Sequence, residues 1–292
     1  MSGRVSWALF ALATASVGCM QPRHLRRDAH APVTTLATTP STSASSAEAP
    51  SVEAASFPAT VLLTPTPWPP KETPPTAPAD PPAGTPVAAS GSAPALTYAA
   101  YDKATCLAEL KKRGVAFTPV TATGVDAGVR LTGPLRGVDF RGPEGKAKQA
   151  TSPWEIADCR LVLALDDFAR ILAKHDVVEG LHMSMYRPPP KNAKDFKRHD
   201  AALAIDLGTL IKKDGTKLRV LEDWHGGIGS KTCGAGAGPS VASKEAVEIR
   251  AILCEAAAAQ LFNVVLTPNY NKPHANHFHL EVTRGVKWFL VH

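Results

Sequence analysis

Fifteen of the chain's 26 prolines fall between Ala31 and Ala100, in a stretch otherwise made mainly of Ala, Thr and Ser. Proline fixes φ and lacks a backbone donor, so such a dense series neither pairs into sheets nor runs as helix. The small polar residues between the prolines cannot bury enough apolar surface to offset chain entropy. Residues 20–98 are therefore predicted to form a disordered tether of polyproline character, and residues 99–292 are left to build one folded domain.

Charge divides the 292-residue chain at nearly the same place. Residues 1–30 carry four Arg against one Asp, and residues 31–100 carry one Lys against four acids, so the remainder holds the whole formal charge of +6. Its Lys and Arg are scattered and aromatic residues make up only 6% of the chain. No basic stripe interleaved with aromatics is present, and no nucleic acid partner is expected. Attraction to an anionic polymer fits the charge as well, and a monomer is expected.

The N-terminus has one early positive charge, Arg4, and then an apolar run from Trp7 to Gly18 that is short for a bilayer span. Residues 1–19 read as an export signal. The run ends in Ser16-Val17-Gly18-Cys19, which resembles a bacterial lipoprotein cleavage site with Ser16 where Leu is usual. Cys19 is thus the expected lipidation site, and the expected location is the cell envelope, with a membrane anchor at the base of the tether.

Four further cysteines, Cys106, Cys159, Cys233 and Cys254, make an even set in an exported chain. Disulfides are expected rather than thiolate ligands. Three pairings are open. Cys106–Cys159 with Cys233–Cys254 is preferred because each would staple a loop to a predicted helix.

Along the domain, Asp102 can cap a short helix that stops near Gly114. Short strands are predicted at Val115–Phe117 and Val129–Leu131, and Leu161, Leu165, Phe168 and Leu172 mark a core helix from Ile156 to Lys174. Val177–Tyr186 reads as a strand stopped by Arg187 and three prolines. A basic loop, Lys191–Arg198, leads to a strand ending at Ile211. The Asp-Gly pair at 214–215 predicts a hairpin to a strand through Leu221. A helix from Ser243 to Leu261 and strands at Asn263–Leu266 and Asn276–Thr283 close the chain. The predicted fold class is α+β, a small mixed and mainly antiparallel sheet with two or three packed helices.

The chemistry lies in the last strand, His274–Glu281, whose sequence is HANHFHLE. As a strand it projects His277, His279 and Glu281 from one face and Phe278, Leu280 and Val282 from the other. Upstream, His199-Asp-Ala-Ala-Leu-Ala-Ile-Asp206 repeats the pattern, with Ala204 and Asp206 alternating with Leu203, Ile205 and Leu207. Imidazole nitrogens and a carboxylate oxygen suit zinc, Zn2+, with one coordination position left for water. His199, Asp206 and one histidine of the HxH pair supply that set. His182 reads as a packed structural histidine, and Trp224 and His225, beside Gly226-Gly227, either line the cleft or belong to a structural loop.

The run His199-x-x-Ala-x-Ala-x-Asp206 followed by His277-x-His279 resembles the motifs of the lysostaphin/D-alanyl-D-alanine peptidase/hedgehog superfamily. More closely, Cys106-Leu-Ala-Glu-Leu, the Tyr186-Arg187 strand end and Leu266-Thr-Pro-Asn-Tyr-Asn-Lys-Pro-His-Ala-Asn-His-Phe-His resemble the bacterial extensin-like C-terminal domain family. The resemblance covers about residues 100–285 and implies a hedgehog/D-Ala-D-Ala peptidase-like fold. It makes His199, Asp206 and His279 the metal ligands, His277 the catalytic base or transition-state hydrogen-bonding group, and Arg187 the group that polarises the scissile carbonyl.

Two positions depart from the superfamily pattern. Lys197 stands for a Ser, placing a cation near the first ligand, and Ala202 stands for a Gly, which is tolerable unless φ must be positive. No Glu precedes His279 by three residues; Asn276 is there instead. His274 either orients His277, contacts substrate or is solvated, and Glu281 is either an acceptor for a ligand's N–H or a surface carboxylate. The expected function is a zinc metallopeptidase acting on peptidoglycan stem peptides or cross-links. The alternative is a non-catalytic module that keeps the fold and binds peptidoglycan or another anionic wall polymer.

Overall fold

The computed structural model describes residues 87–88 and 93–292. The export signal, Cys19 and nearly all of the tether lie outside the described residues. Eleven strands are described: β1 (Val87–Ala88), β2 (Phe117–Pro119), β3 (Gly128–Leu131), β4 (Asp139–Arg141), β5 (Ile156–Asp158), β6 (Val177–His182), β7 (Ala204–Lys212), β8 (Lys217–Arg219), β9 (Val264–Leu266), β10 (Phe278–Glu281) and β11 (Trp288–Val291). The helices are α1 (Pro94–Ala100), α2 (Lys103–Lys112), α3 (Lys146–Gln149), α4 (Cys159–Lys174), α5 (Val220–Asp223) and α6 (Lys244–Ala258). None is long and apolar enough to cross a membrane.

The larger sheet runs β1-β11-β9-β10-β7-β6-β4, with β8 also paired to β7, and β2-β3-β5 form a second sheet. Only β11/β9 and β4/β6 are parallel pairs; the rest are antiparallel. The fold class is α+β, as expected. β7 is central: β6 lies along one edge, while the other edge meets β10 through Ala204–Leu207 and β8 through Thr209–Ile211.

Helix α4 organises the core. Twelve of its sixteen residues are buried, which is why its sequence is apolar well beyond one stripe. Phe168 meets Phe262 edge-on, and Leu161, Leu165 and Leu172 are fully enclosed. On the sheet, Ile205 and Leu207 of β7 and Phe278 and Leu280 of β10 join the same core. Their alternate neighbours, Asp206 and His279, therefore face away from the main core cluster.

The core helix starts at Cys159, not at Ile156 as expected. Ile156–Asp158 instead pairs with β3, and Asp158 caps the helix by accepting from the Arg160 amide. Arg160 is wholly buried and donates to both Asp158 oxygens, to Asp126 and to the Tyr101 carbonyl. Removing Asp158 would leave that guanidinium with Asp126 and the Tyr101 carbonyl alone and its Nη1 without a partner.

Other boundaries move as well, among them the strand expected at Val115–Phe117, which is Phe117–Pro119. The strand expected through Leu221 stops at Arg219, because Asp223 accepts from the Arg219 amide and turns the chain into α5. The strand expected to reach Tyr186 ends at His182, where pairing with β7 becomes irregular. The folded domain also begins before residue 99: α1 starts at Pro94 and buries Ala95, Tyr98 and Ala99, so the end of the expected tether is helical.

The disulfides are Cys106–Cys159 and Cys233–Cys254. The second ties a glycine-rich loop to α6, as expected; the first joins two helices, α2 and α4. With separations of 53 and 21 residues, each stabilises by about 3–4 kcal/mol on a chain-entropy account.

Candidate metal centre

Strand pairing places His279 directly opposite Asp206. His199 reaches them from a 3-10 turn, Arg198–Ala201, that precedes β7. The loop carrying it folds back on the exit of β6: the Arg187 amide donates to the His199 carbonyl at 3.1 Å, and His199 Nδ1–H donates to the Met185 carbonyl at 3.1 Å. The Asp158 amide donates to the Ala202 carbonyl at 2.8 Å, tying the turn to the Arg160 network.

The turn closes at Ala202 with φ of 55°, and Arg198 opens it with φ of 50°. The Ala at the position usually held by Gly therefore does take the left-handed conformation. Its methyl is enclosed beside Ile156 and Tyr186, which offsets part of the backbone strain. Lys197 does not turn its charge on His199: its ammonium pairs with Asp195, and both side chains are exposed.

His199, Asp206 and His279 form a buried group whose ligand atoms all lie within 4.8 Å of one another, a group that can hold a metal ion. Asp206 Oδ1 is 3.1 Å from His199 Nε2 and 3.0 Å from His279 Nδ1, and the two nitrogens are 3.3 Å apart. The hydrogen bonds on the far sides of the rings fix what faces inward. His199 spends its N–H on Met185, and His279 Nε2–H donates to Glu281 Oε2 at 3.2 Å. Two imidazole lone pairs and a carboxylate oxygen thus converge with no hydrogen between them, an arrangement that a cation resolves.

The same contacts set the charge on the carboxylate. Burial alone would raise the Asp206 carboxyl, but hydrogen bonds from His199 and His279 outweigh it and hold it well below the usual carboxylate range. Burial opposes charge on His279, yet Asp206 and Glu281 together raise its pKa. Glu281 is the buried acceptor for the His279 N–H, not a surface carboxylate; its other oxygen accepts from Thr283 Oγ1 at 2.7 Å. Its pKa is lowered by His279 and Thr283 against the opposing effect of burial.

Around this group the structure gathers the other expected residues in an open cleft of about 660 Å³. The Arg187 guanidinium pairs with Asp206 Oδ2, and its Nε–H donates to Ser184 Oγ at 3.0 Å. His277 Nε2 lies 3.4 Å from Asp206 Oδ1. Its Nδ1–H donates to Asn276 Oδ1 at 2.8 Å. The Asn276 amide, where a Glu is absent, thus orients the His277 ring and leaves Nε2 turned toward Asp206. Burial pushes the His277 pKa down, opposed by the Asp206 carboxylate and aided by the charges of His279, Arg187 and His199.

His274 sits on the same wall, its ring 5.1 Å from that of His277 and held by Asn271 Oδ1 at 2.6 Å. Burial, then His277 and His279, lower its pKa to about 4. It is half-buried and is not one of the three grouped residues. Trp224 is outside the cleft, buried with its indole N–H on Asn269 and the Arg250 guanidinium over its ring. His182 is paired with Glu155. Ser184, Asn271 and Asn276 were not singled out as orienting groups from sequence; a small polar residue beside each functional side chain was the available signal.

Fold and site together define an α+β domain with a buried His/Asp/His group, able to hold a metal ion, beside an open cleft. Residues 104–290 match the family described as extensin-like protein C-terminus, and the chain belongs to that family. Neither the curated proteins nor the solved structures contain a match to it.

Proposed function

We propose that the domain is a zinc metallopeptidase of the cell envelope that acts on peptidoglycan stem peptides or cross-links, with His199, Asp206 and His279 holding the metal. The reading is carried by one observation: the three-residue group presents its lone pairs to a cleft in which a cation, Arg187, and an oriented imidazole, His277, stand beside it. Three protein ligands beside open space is the donor set of a catalytic zinc site rather than a closed structural one. A zinc ion held there supplies Lewis acidity toward a carbonyl oxygen and acidifies water.

The chain's own residues supply the rest. Arg187, anchored by Ser184, directs positive charge at the oxygen that becomes negative as the carbonyl is attacked. His277, its Nδ1–H held by Asn276, has Nε2 free to take a proton and return it to the leaving amine. Depression of its pKa keeps it neutral, and so a competent base, at neutral pH. The signal-like N-terminus with Cys19 and the proline-rich stretch support an exported, membrane-anchored chain whose domain reaches the wall.

Elemental analysis of the purified protein is expected to find about one zinc per chain, lost in Asp206→Ala and His279→Ala. Muropeptide analysis of digested wall is expected to find new peptide ends with the wild type and none with either variant. Zinc bound without any product would overturn the peptidase reading. Retention on insoluble wall under those conditions would point to the wall-binding module.

A further inference from the structure

Beside the metal-binding cleft lies a second hollow of about 470 Å³, and Lys197 and Arg198 line both. Glu281 separates them: one of its oxygens accepts from the ligand histidine His279, and the same side chain lines the second hollow. A molecule seated there is one side chain away from the metal group.

The walls have two characters. Leu203, Val264 and Trp288 are apolar, the first two buried and Trp288 half-buried. Lys197 and Asp195 neutralise each other, whereas Arg198 and Arg284 have only long contacts, with Glu281 at 3.6 Å and Asp126 at 3.4 Å. Glu281 is already satisfied by His279 and Thr283.

The Arg198 carbonyl closes the turn by accepting from the Leu203 amide, but its side chain makes no hydrogen bond among the described residues. It is 67% exposed, and its Nε is 3.6 Å from Glu281, beyond a hydrogen bond. Its backbone nevertheless adopts a positive φ, which L residues rarely take and which clusters at functional positions. Arg284 reaches only Asp126 Oδ2, at 3.4 Å, an oxygen already held by Arg160 at 2.8 Å. By contrast the structural arginines Arg113 and Arg160 commit their donors to several partners each.

We propose that this hollow is a substrate subsite for a carboxylate-bearing peptide unit, its apolar body against Trp288, Leu203 and Val264 and its carboxylate paired with Arg198 and Arg284. The proposal rests on the peptidase reading in that it names the part of the substrate next to the metal group. Two sources share the chemistry, a chain-terminal carboxylate and a side-chain carboxylate.

The test is calorimetric titration of the full chain with a synthetic wall stem tetrapeptide in three forms: carboxylates free, C-terminal carboxylate amidated, or side-chain carboxylate amidated. Amidating the carboxylate that the arginines hold is expected to weaken binding about tenfold, and which amide does so names the source. Arg198→Gln with Arg284→Gln is expected to abolish the preference, while Asp206→Asn, which removes a metal ligand, is expected to keep it. Circular dichroism checks that the variants are folded. Equal affinity for all three peptides, no detectable binding, or a preference that survives the double substitution overturns the subsite. A preference lost in the double variant, without turnover by the wild type, retains the subsite and overturns the peptidase reading.

Discussion

Asp206 and His279 are direct cross-strand partners, 73 residues apart in the chain and 3.0 Å apart at their functional atoms. Two apolar-backed strands in this register place a carboxylate and an imidazole on one face at the distance a shared cation requires. The rest of the centre is built around the pair. His199 arrives on a turn, and Arg187 and His277 close in from the two flanks.

Glu281 sets the orientation and basicity of His279. Glu281→Gln keeps the shape but weakens the acceptor, and metal affinity is expected to fall about 10- to 100-fold. Competition with a chromophoric chelator measures it. Unchanged affinity would mean that the His279 ring is held by packing alone.

For His277, the expected signature is a split between metal and turnover. His277→Ala should retain bound metal while hydrolysis falls by about 10²- to 10⁴-fold. Loss of metal together with activity would instead make His277 a ligand. Asn276→Leu, which removes the group that orients the ring, should lower turnover in the same direction.

Ala202 tests how strain and packing balance. Relieving a left-handed alanine gains about 1–2 kcal/mol, but glycine forfeits a buried methyl, about 0.8 kcal/mol, and adds chain entropy to the unfolded state, about 0.5–1 kcal/mol. Ala202→Gly is therefore expected to lie within about 1 kcal/mol of the parent in urea unfolding. A gain well beyond that would show that the turn is strained without compensation.

Away from the site, Tyr98 gives a pH dependence with a definite sign. Burial, then the hydrogen bond to Asp167, raises its hydroxyl from 10.0 to about 12, against the opposing effect of Arg113. The folded state holds the proton more tightly than the unfolded state, so this stability is fully present below pH 10 and is lost as pH rises through about 12. Urea unfolding between pH 9 and 11.5 should show a steeper loss in the wild type than in Tyr98→Phe. Parallel slopes would assign the alkaline loss to other groups.

Much of the centre was legible along the chain because a strand has a period of two. That period alone puts His277, His279 and Glu281 on one side and Phe278, Leu280 and Val282 on the other, and it sets Asp206 between the core residues Ile205 and Leu207. Helix α2 was legible from its cap, since the Asp102 side chain does accept from the Thr105 amide. The hairpin at Asp214-Gly215 was legible because glycine there takes φ of 86°. Local pattern misled where a distant partner decided the backbone. Ile156–Asp158 continued a helical spacing but pairs with β3, and Leu221 extended a strand that Asp223 turns into a helix.

What the sequence by itself determined is which residues share a face, because that follows from backbone geometry over a few residues. It also limited the disulfides to three pairings, the preferred one being the pair that formed. Only the tertiary structure decided that Asp206 pairs with His279 and that Ala202 packs beside Ile156 in a turn of positive φ. Those outcomes depend on strand register and on loops returning to a packed core. They arise from contacts between segments tens of residues apart, which no local periodicity encodes.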